Sequence, residues 1–312
     1  MAGGALIGPG PLFGLLSAFS WGIGDFCGGL ISRYSSVLFA MLVSQGIGLS
    51  GTVLLVAISG EAFPSIDSVA WAAGAGALGI VGLAAFYYAL ARGSMGIVAP
   101  LAALIGAGVP VIVSIAGGAT TTPTRLAGMA LALAAVVLIS LPSAPRDTAE
   151  RRTVRIDLSE LPLVLVAGLG FAGFFLLVDR ATAGGQTWWP LAVVRVAGLA
   201  LVLLGLVAAL ARTRPERGVR LSAVLGLERL RSQPIAMLPL VLLLLATGVG
   251  DLGGNVFFVL SKQIDALAIA VVLSSLYPVV TTILAVLLLR ERLNRLQLLG
   301  VVLASFSVPL LR

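Results

Sequence analysis

The chain has 312 residues, 59% hydrophobic and 11% charged, with a mean hydropathy of +1.11. A soluble domain carries about 25% charged residues, so a water-solvated surface is excluded and a bilayer is the solvent that fits. The net charge is +7, histidine is absent and Cys27 is the single cysteine, which excludes an intrachain disulfide, a cysteine–histidine nucleophile and the commonest zinc ligand.

Residues 1–10 carry no charged side chain, unlike the basic start of a signal peptide, so the first apolar stretch reads as a span of the mature chain. A helix crosses the hydrocarbon in about 20 residues. The sequence offers ten such stretches: 11–31, 37–59, 69–90, 96–117, 126–141, 161–178, 188–211, 235–260, 266–289 and 296–311, the fifth and tenth being short. Pro100 and Pro110 in the fourth and Pro278 in the ninth are expected to kink their helices and free backbone groups. The connection 142–160 holds four arginines and four acids and reads as a joint between halves 1–141 and 161–312. The connection 212–234 holds six arginines, with Leu221, Val224, Leu225 and Leu230 among them. It reads as a short amphipathic surface helix or an irregular loop.

Loops after odd-numbered spans hold 15 of the basic residues, whereas loops after even-numbered spans and both termini hold four. The positive-inside rule then predicts odd loops in the cytoplasm and both termini outside. The basic loops read as topology signals that meet anionic headgroups, not as a nucleic-acid surface. Trp71, Trp188 and Trp189 fall at the predicted outer interface, where indoles anchor.

An internal repeat follows. Shifted by 150, Gln45 meets Arg195 and Gly48 meets Gly198; shifted by 170, Phe86-Tyr87-Tyr88-Ala89-Leu90 meets Val256-Phe257-Phe258-Val259-Leu260. Each half has five spans, and two copies of an odd unit insert with opposite orientation, an arrangement common in transporters. The expected fold is therefore all-α, with ten transmembrane helices as two inverted five-helix repeats.

Leu276-Tyr277-Pro278-Val279-Val280, Leu287-Leu288-Leu289-Arg290-Glu291-Arg292-Leu293 and Gly300 in the second half resemble the drug/metabolite transporter superfamily, and within it the bacterial ten-helix EamA-type transporters. Tyr88-Ala89-Leu90-Ala91-Arg92-Gly93-Ser94, Val98-Ala99-Pro100-Leu101 and Trp21-Gly22 carry the likeness in the first half. Gly106 replaces the proline, and 118–122 replaces the arginine–glutamate turn. The resemblance implies a bacterial inner-membrane secondary transporter with a central cavity and alternating access, exporting a small metabolite or drug-like molecule. It names no substrate, and the choice between monomer and homodimer stays open.

Three charges lie well inside spans: Asp25, Arg195 and Asp251. Such groups are costly in hydrocarbon and face protein or water. Arg195 and Asp251 lie at similar depths on antiparallel neighbours, which predicts that they pair, as part of the site or as structural glue. Gln45 and Val81 hold the equivalent first-half places. Asp25 has no ionic partner in view; Gln45 is expected to donate to it, and its unpaired carboxyl suits reversible protonation. Asp25 and Asp251 are the candidate coupling residues. Candidate substrate contacts are Trp21, Gln45, Tyr88, Arg195, Asn255 and Tyr277, with Tyr87 also considered. Both aspartates end a Gly-x-Gly-Asp segment, Gly22-Ile23-Gly24-Asp25 and Gly248-Val249-Gly250-Asp251. That pattern also suits an intramembrane aspartyl protease, the alternative from another class. Upright helices would separate the two depths by roughly 7 Å, which argues against a shared proton; the small residues more simply allow close helix contact. No phosphate loop and no metal-ligand cluster occur, so no cofactor is expected and the sequence argues against an ATP-driven pump within this chain.

Overall fold

The computed structural model describes residues 8–92, 95–141, 161–212, 221–232, 236–290 and 293–311. Among them the chain is helical throughout. The first half supplies α1 (Pro9–Tyr34), α2 (Val37–Ser59), α3 (Ile66–Arg92), α4 (Met95–Ala116) and α5 (Pro123–Ser140). The second supplies α6 (Leu161–Ala181), α7 (Trp188–Ala211), α8 (Leu221–Val224), α9 (Leu227–Arg231), α10 (Met237–Ile264), α11 (Leu267–Ser274), α12 (Tyr277–Leu289) and α13 (Arg295–Leu310). The expected joint 142–160 and both chain ends, Met1 and Arg312, lie outside the described residues.

Local chemistry sets the boundaries. Ser36 and Thr122 cap α2 and α5 by accepting from Phe39 and Arg125 N–H groups. Asn294 and Gln297 form a reciprocal capping box on α13. α2 stops at Gly60, whose φ of 65° is open to glycine at no steric cost. α4 runs through both Pro100 and Pro110 as one helix, whereas the ninth span breaks at Ser275 and Leu276. There Pro278 has no N–H to continue the ladder and sits in the first turn of α12, where none is needed, so α11 ends and α12 begins.

Among the described residues, eight helical stretches are long and apolar enough to cross a membrane, the α11–α12 pair among them as Leu267–Leu289. Pro100–Ala116 and Arg295–Leu310 are shorter apolar helices. Burial is the reverse of a soluble protein's. Leu54, Ile112, Leu204 and Leu287 are exposed, while Ala72, Ala75, Ala135, Ala167 and Ala270 are fully buried. Large side chains outside and small ones between helices are what lipid solvent selects. The chain is a multi-pass membrane protein.

Helix neighbours follow a two-fold pattern. α1 packs along α10, and its counterpart α6 packs along α3; α2 touches α10 as α7 touches α3; α2 meets α7 and α5 meets α13. Exchanging the halves leaves these pairings unchanged. Two glycine contacts hold the largest interfaces. A Cβ on Gly250 would collide with the Gly24 backbone, and one on Gly170 with the Gly82 backbone.

The segment expected as one amphipathic surface helix is instead two short helices, α8 and α9, joined at Gly226 with φ 69°. Leu225 is buried between them, and its carbonyl accepts from the Ser36 N–H at 3.1 Å. The intervening glycine ends the first turn, and Leu225 docks on the α1–α2 turn.

Candidate functional site

A cavity of about 460 Å³ lies between the two halves. It reaches Ser32, Val37 and Ser140 at one end, where α1 and α5 finish and α2 starts. Towards the other end an aromatic floor narrows it: Phe175 stands 4.9 Å from Phe258 and 5.9 Å from Trp21, ring centre to ring centre. Beyond the floor the halves are tied together. Ser68 Oγ donates to the Ala181 carbonyl at 2.6 Å, and Ser261 Oγ to that of Gly10 at 2.8 Å. Glu61, in the α2–α3 loop, accepts from the Thr187, Trp188 and Trp189 N–H groups at 2.6–2.9 Å, so a first-half carboxylate caps α7 of the second half. Carboxylates are favoured there by the helix dipole.

The polar wall is built around Asp251. Arg195, only 3% exposed, donates from Nη1 to Asp251 Oδ2 at 2.5 Å. Ser44 Oγ donates to the same oxygen at 2.6 Å, and Asn255 Nδ2 donates to the Asp251 carbonyl at 2.7 Å and to Oδ1 at 3.2 Å. Four helices thus converge here, since Ser44 is on α2, Arg195 on α7, Asp251 and Asn255 on α10, and Trp21 of α1 stands beside the carboxylate. The pairing expected from depth and spacing is present. Room for it comes from glycine: a Cβ on Gly48 would strike the Arg195 guanidinium, and one on Gly254 the Trp21 indole.

Asp25 is placed differently. It is exposed to the cavity and makes no hydrogen bond or ion pair with a described residue. The expected Gln45–Asp25 bond is absent. Gln45 is buried, and its Oε1 packs on α7 where Gly198 carries no side chain. The arrangement is reciprocal, with Gln45 against Gly198 and Arg195 against Gly48, as the 150-residue shift implies. The shift of 170 is less accurate at Asp251. The matched crossings pair Gly250 with Gly82, which makes Leu83, not Val81, the counterpart of Asp251. Leu83 lines the cavity, whereas Val81 is exposed.

The estimated depth difference between Asp25 and Asp251 does not hold either. Asp25 follows Gly24 and Asp251 follows Gly250, and these glycines touch, so the carboxylates flank one crossing at the same level. Part of the offset came from the helix ends: α1 starts at Pro9 and α10 runs to Ile264, beyond the predicted bounds of 11 and 260.

Trp21, Gln45, Arg195, Asn255 and Tyr277 line the cavity with both aspartates. Tyr88 does not: it is 47% exposed on another face of α3, and Phe86 takes the inward position against Phe171. A shift of two residues on a helix turns the side chain through about half a circle. The Tyr87 side chain lies outside the described residues. Phe171, Phe174 and Phe175 of α6 with Leu83 and Phe86 of α3 form an apolar part of the wall. The spacing of the three α6 phenylalanines marks a helix face, but an apolar face in a membrane protein points equally well to lipid, so nothing in sequence distinguished them. Ser44 was missed, although it adjoins Gln45. Also unforeseen is Lys262 on α10, which donates to Asp179 Oδ1 on α6 at 3.1 Å. Among the described residues no group of three metal-ligating side chains occurs.

Comparison with known proteins is consistent with this geometry. One solved structure, described as "Crystal structure of protein", aligns with a TM-score of 0.66 at 17% identity, covering 96% of this chain and 95% of that one. The likeness is one of fold. No curated protein matches. The model of the EamA-like transporter family matches twice, over residues 8–141 and 158–312, and the chain therefore belongs to the EamA-like transporter family, within the drug/metabolite transporter superfamily.

Proposed function

We propose that the chain is a secondary exporter of small organic solutes that combine a positive charge with an apolar body, exchanged for protons at Asp25 by alternating access. The observation that carries this reading is the asymmetry of the acids. Asp251 is neutralised by Arg195, while Asp25 faces the cavity with no partner among the described residues. One uncompensated carboxylate in an enclosed site favours a cation, because little water screens it. Phe171, Phe174, Leu83 and Phe86 suit the apolar part. A carboxylate holding a proton cannot also hold a cation, and that exclusion links the two fluxes.

The inner-membrane orientation comes from the arginine distribution. It makes the Arg33 end cytoplasmic and both termini external, so the open end of the cavity faces inward. Residues 1–141 and 161–312 then act as the two moving bundles, inverted relative to each other. Export requires parting the contacts made by Glu61, Ser68 and Ser261 and closing the Arg33 end.

Asp25→Asn tests the reading. In proteoliposomes carrying an imposed proton gradient, the variant is expected to fold and to lose gradient-driven transport of lipophilic cations. An unchanged pH dependence removes Asp25 from the mechanism. The aspartyl-protease alternative gains from the level placement of Asp25 and Asp251 but fails on chemistry. Two acids sharing a proton need both carboxylates available, and Asp251 is engaged by Arg195 and Ser44. Cleavage of a membrane-embedded peptide by the purified protein would overturn the transporter reading.

A further inference from the structure

A second cleft, of about 500 Å³, lies between α1 and α12 and meets the central cavity at Asp25, Ser140, Thr281 and Thr282. It exists because the two helices part. At Gly22 an added Cβ would run into Val280 and the Tyr277 carbonyl, and Thr281 Oγ1 donates to the Gly22 carbonyl at 3.2 Å. Two turns along, a Cβ on Gly29 would meet nothing within 4 Å, and Gly29 is exposed. Helices in contact at Gly22 have separated by Gly29. From there the cleft runs past Ala285 and Leu289 to Arg33 and Gln297.

Size and lining decide what this cleft suits. A water molecule occupies about 30 Å³, so a proton route needs only a fraction of a space as large as the solute cavity itself. The wall is apolar in its middle, through Phe26, Leu30, Ala285, Val286, Leu289 and Leu293. Polar groups gather at its two ends: Asp25 with Thr281 and Thr282 at the inner end, Arg33 and Gln297 at the outer. An amphipathic solute in a leaflet has the same order, with its body in hydrocarbon and its polar head at the interface. α1 and α12 are adjacent walls of the bundle, and the neighbouring Ile283, Leu287 and Leu288 are exposed as lipid-facing residues are. Anionic headgroups also concentrate cationic amphipaths at such a surface.

We propose that the cleft between α1 and α12 is a side entrance through which cationic amphipaths pass from the leaflet at the Arg33 end to Asp25. The destination rests on the reading of Asp25 as the solute-binding carboxylate; the entrance rests on the helix separation and the lining.

Thiol chemistry tests the entrance directly, because Cys27 is the single native cysteine. On a Cys27→Ala background in proteoliposomes, Gly29→Cys and Ala285→Cys are compared with Met41→Cys, whose position lines the central cavity. A pyrenyl-maleimide dissolved in the bilayer should modify positions 29 and 285 about tenfold faster than position 41. A charged, water-soluble thiosulfonate should show the opposite order. If the charged reagent reaches all three equally, the cleft is an aqueous branch of the cavity and the proposal falls; it falls also if neither reagent reaches 29 and 285. Gly29→Leu and Ala285→Phe, which fill the cleft, should slow tetraphenylphosphonium uptake several-fold with its equilibrium binding unchanged. Unchanged uptake rates in both overturn the entrance. If Asp25→Asn binds tetraphenylphosphonium as tightly as the parent, the carboxylate reading fails separately, while the thiol rates still decide the entrance.

Discussion

The two glycine crossings use one scaffold for opposite chemistry. At the α1–α10 crossing, Gly24 meets Gly250 and the next residues are Asp25 and Asp251; at the α3–α6 crossing, Gly82 meets Gly170 and the next residues are Leu83 and Phe171. All four following side chains line the same cavity. The backbone contact is thus common to both halves, and the side chain one step beyond it is free to vary. Duplication supplied a two-fold frame, and substitution on one side of it produced a cavity with a charged wall and an aromatic wall.

The largest expected effect breaks the charged wall. Asp251→Ala leaves Arg195 buried without its counter-charge and should destabilise the protein by about 3–5 kcal/mol, read as a lowered melting temperature in detergent. Arg195→Ala combined with Asp251→Ala should recover much of that loss, and exchanging the two residues should rescue either single change in part. Without recovery in the double variant, the pair is not the source of the cost. Next come the crossings themselves. Gly250→Val and Gly82→Val each force a side chain onto opposing backbone, at about 1–3 kcal/mol. Equal losses at the two sites support the shared frame; a tolerated valine at either one refutes it for that half. Glu61→Ala removes the cap on α7 at about 0.5–2 kcal/mol, and it should raise the reactivity of an engineered thiol near Phe175 towards reagents added at the Glu61 end. Smallest is Lys262→Met, whose partner Asp179 is 36% exposed. A pair of that kind contributes about 0–1 kcal/mol, so a larger loss would assign it to the sealed end of the cavity.

Much of this was legible in the sequence, for identifiable reasons. Lipid demands long apolar helices, so the ten predicted stretches stand out by hydropathy; nine of them each fall on a single helix, though only eight helical stretches among the described residues are long and apolar enough to cross. The remaining stretch, 266–289, is one apolar run whose break at Leu276 depends on where Pro278 falls in the turn. Arg195 and Asp251 were predicted to pair because each is an isolated charge at a countable depth. What stayed hidden depended on rotation and tilt. Hydropathy is the same on the lipid and cavity faces of α3, so Phe86 and Tyr88 were interchangeable until the helix phase was known. The depth of Asp25 relative to Asp251 was counted from predicted helix ends, and Gly24 against Gly250 places the two acids beside one crossing. Gln45 was matched to the right counterpart in the repeat, yet its neighbour is Gly198, because a missing side chain on α7 leaves the space.

The bare backbone contacts at Gly24–Gly250 and Gly82–Gly170 have a mechanical consequence. At each crossing point the two backbones meet with no side chain between them, so the crossing can serve as a pivot once the side-chain contacts further along the helices part. Displacement in a lever grows with distance from its fulcrum. Asp25 and Asp251 sit one residue from it, while Glu61 and Arg33 lie near the far tips of the arms. A tilt large enough to open one mouth would therefore barely disturb the carboxylates, and the ion-handling groups would stay assembled through the whole swing.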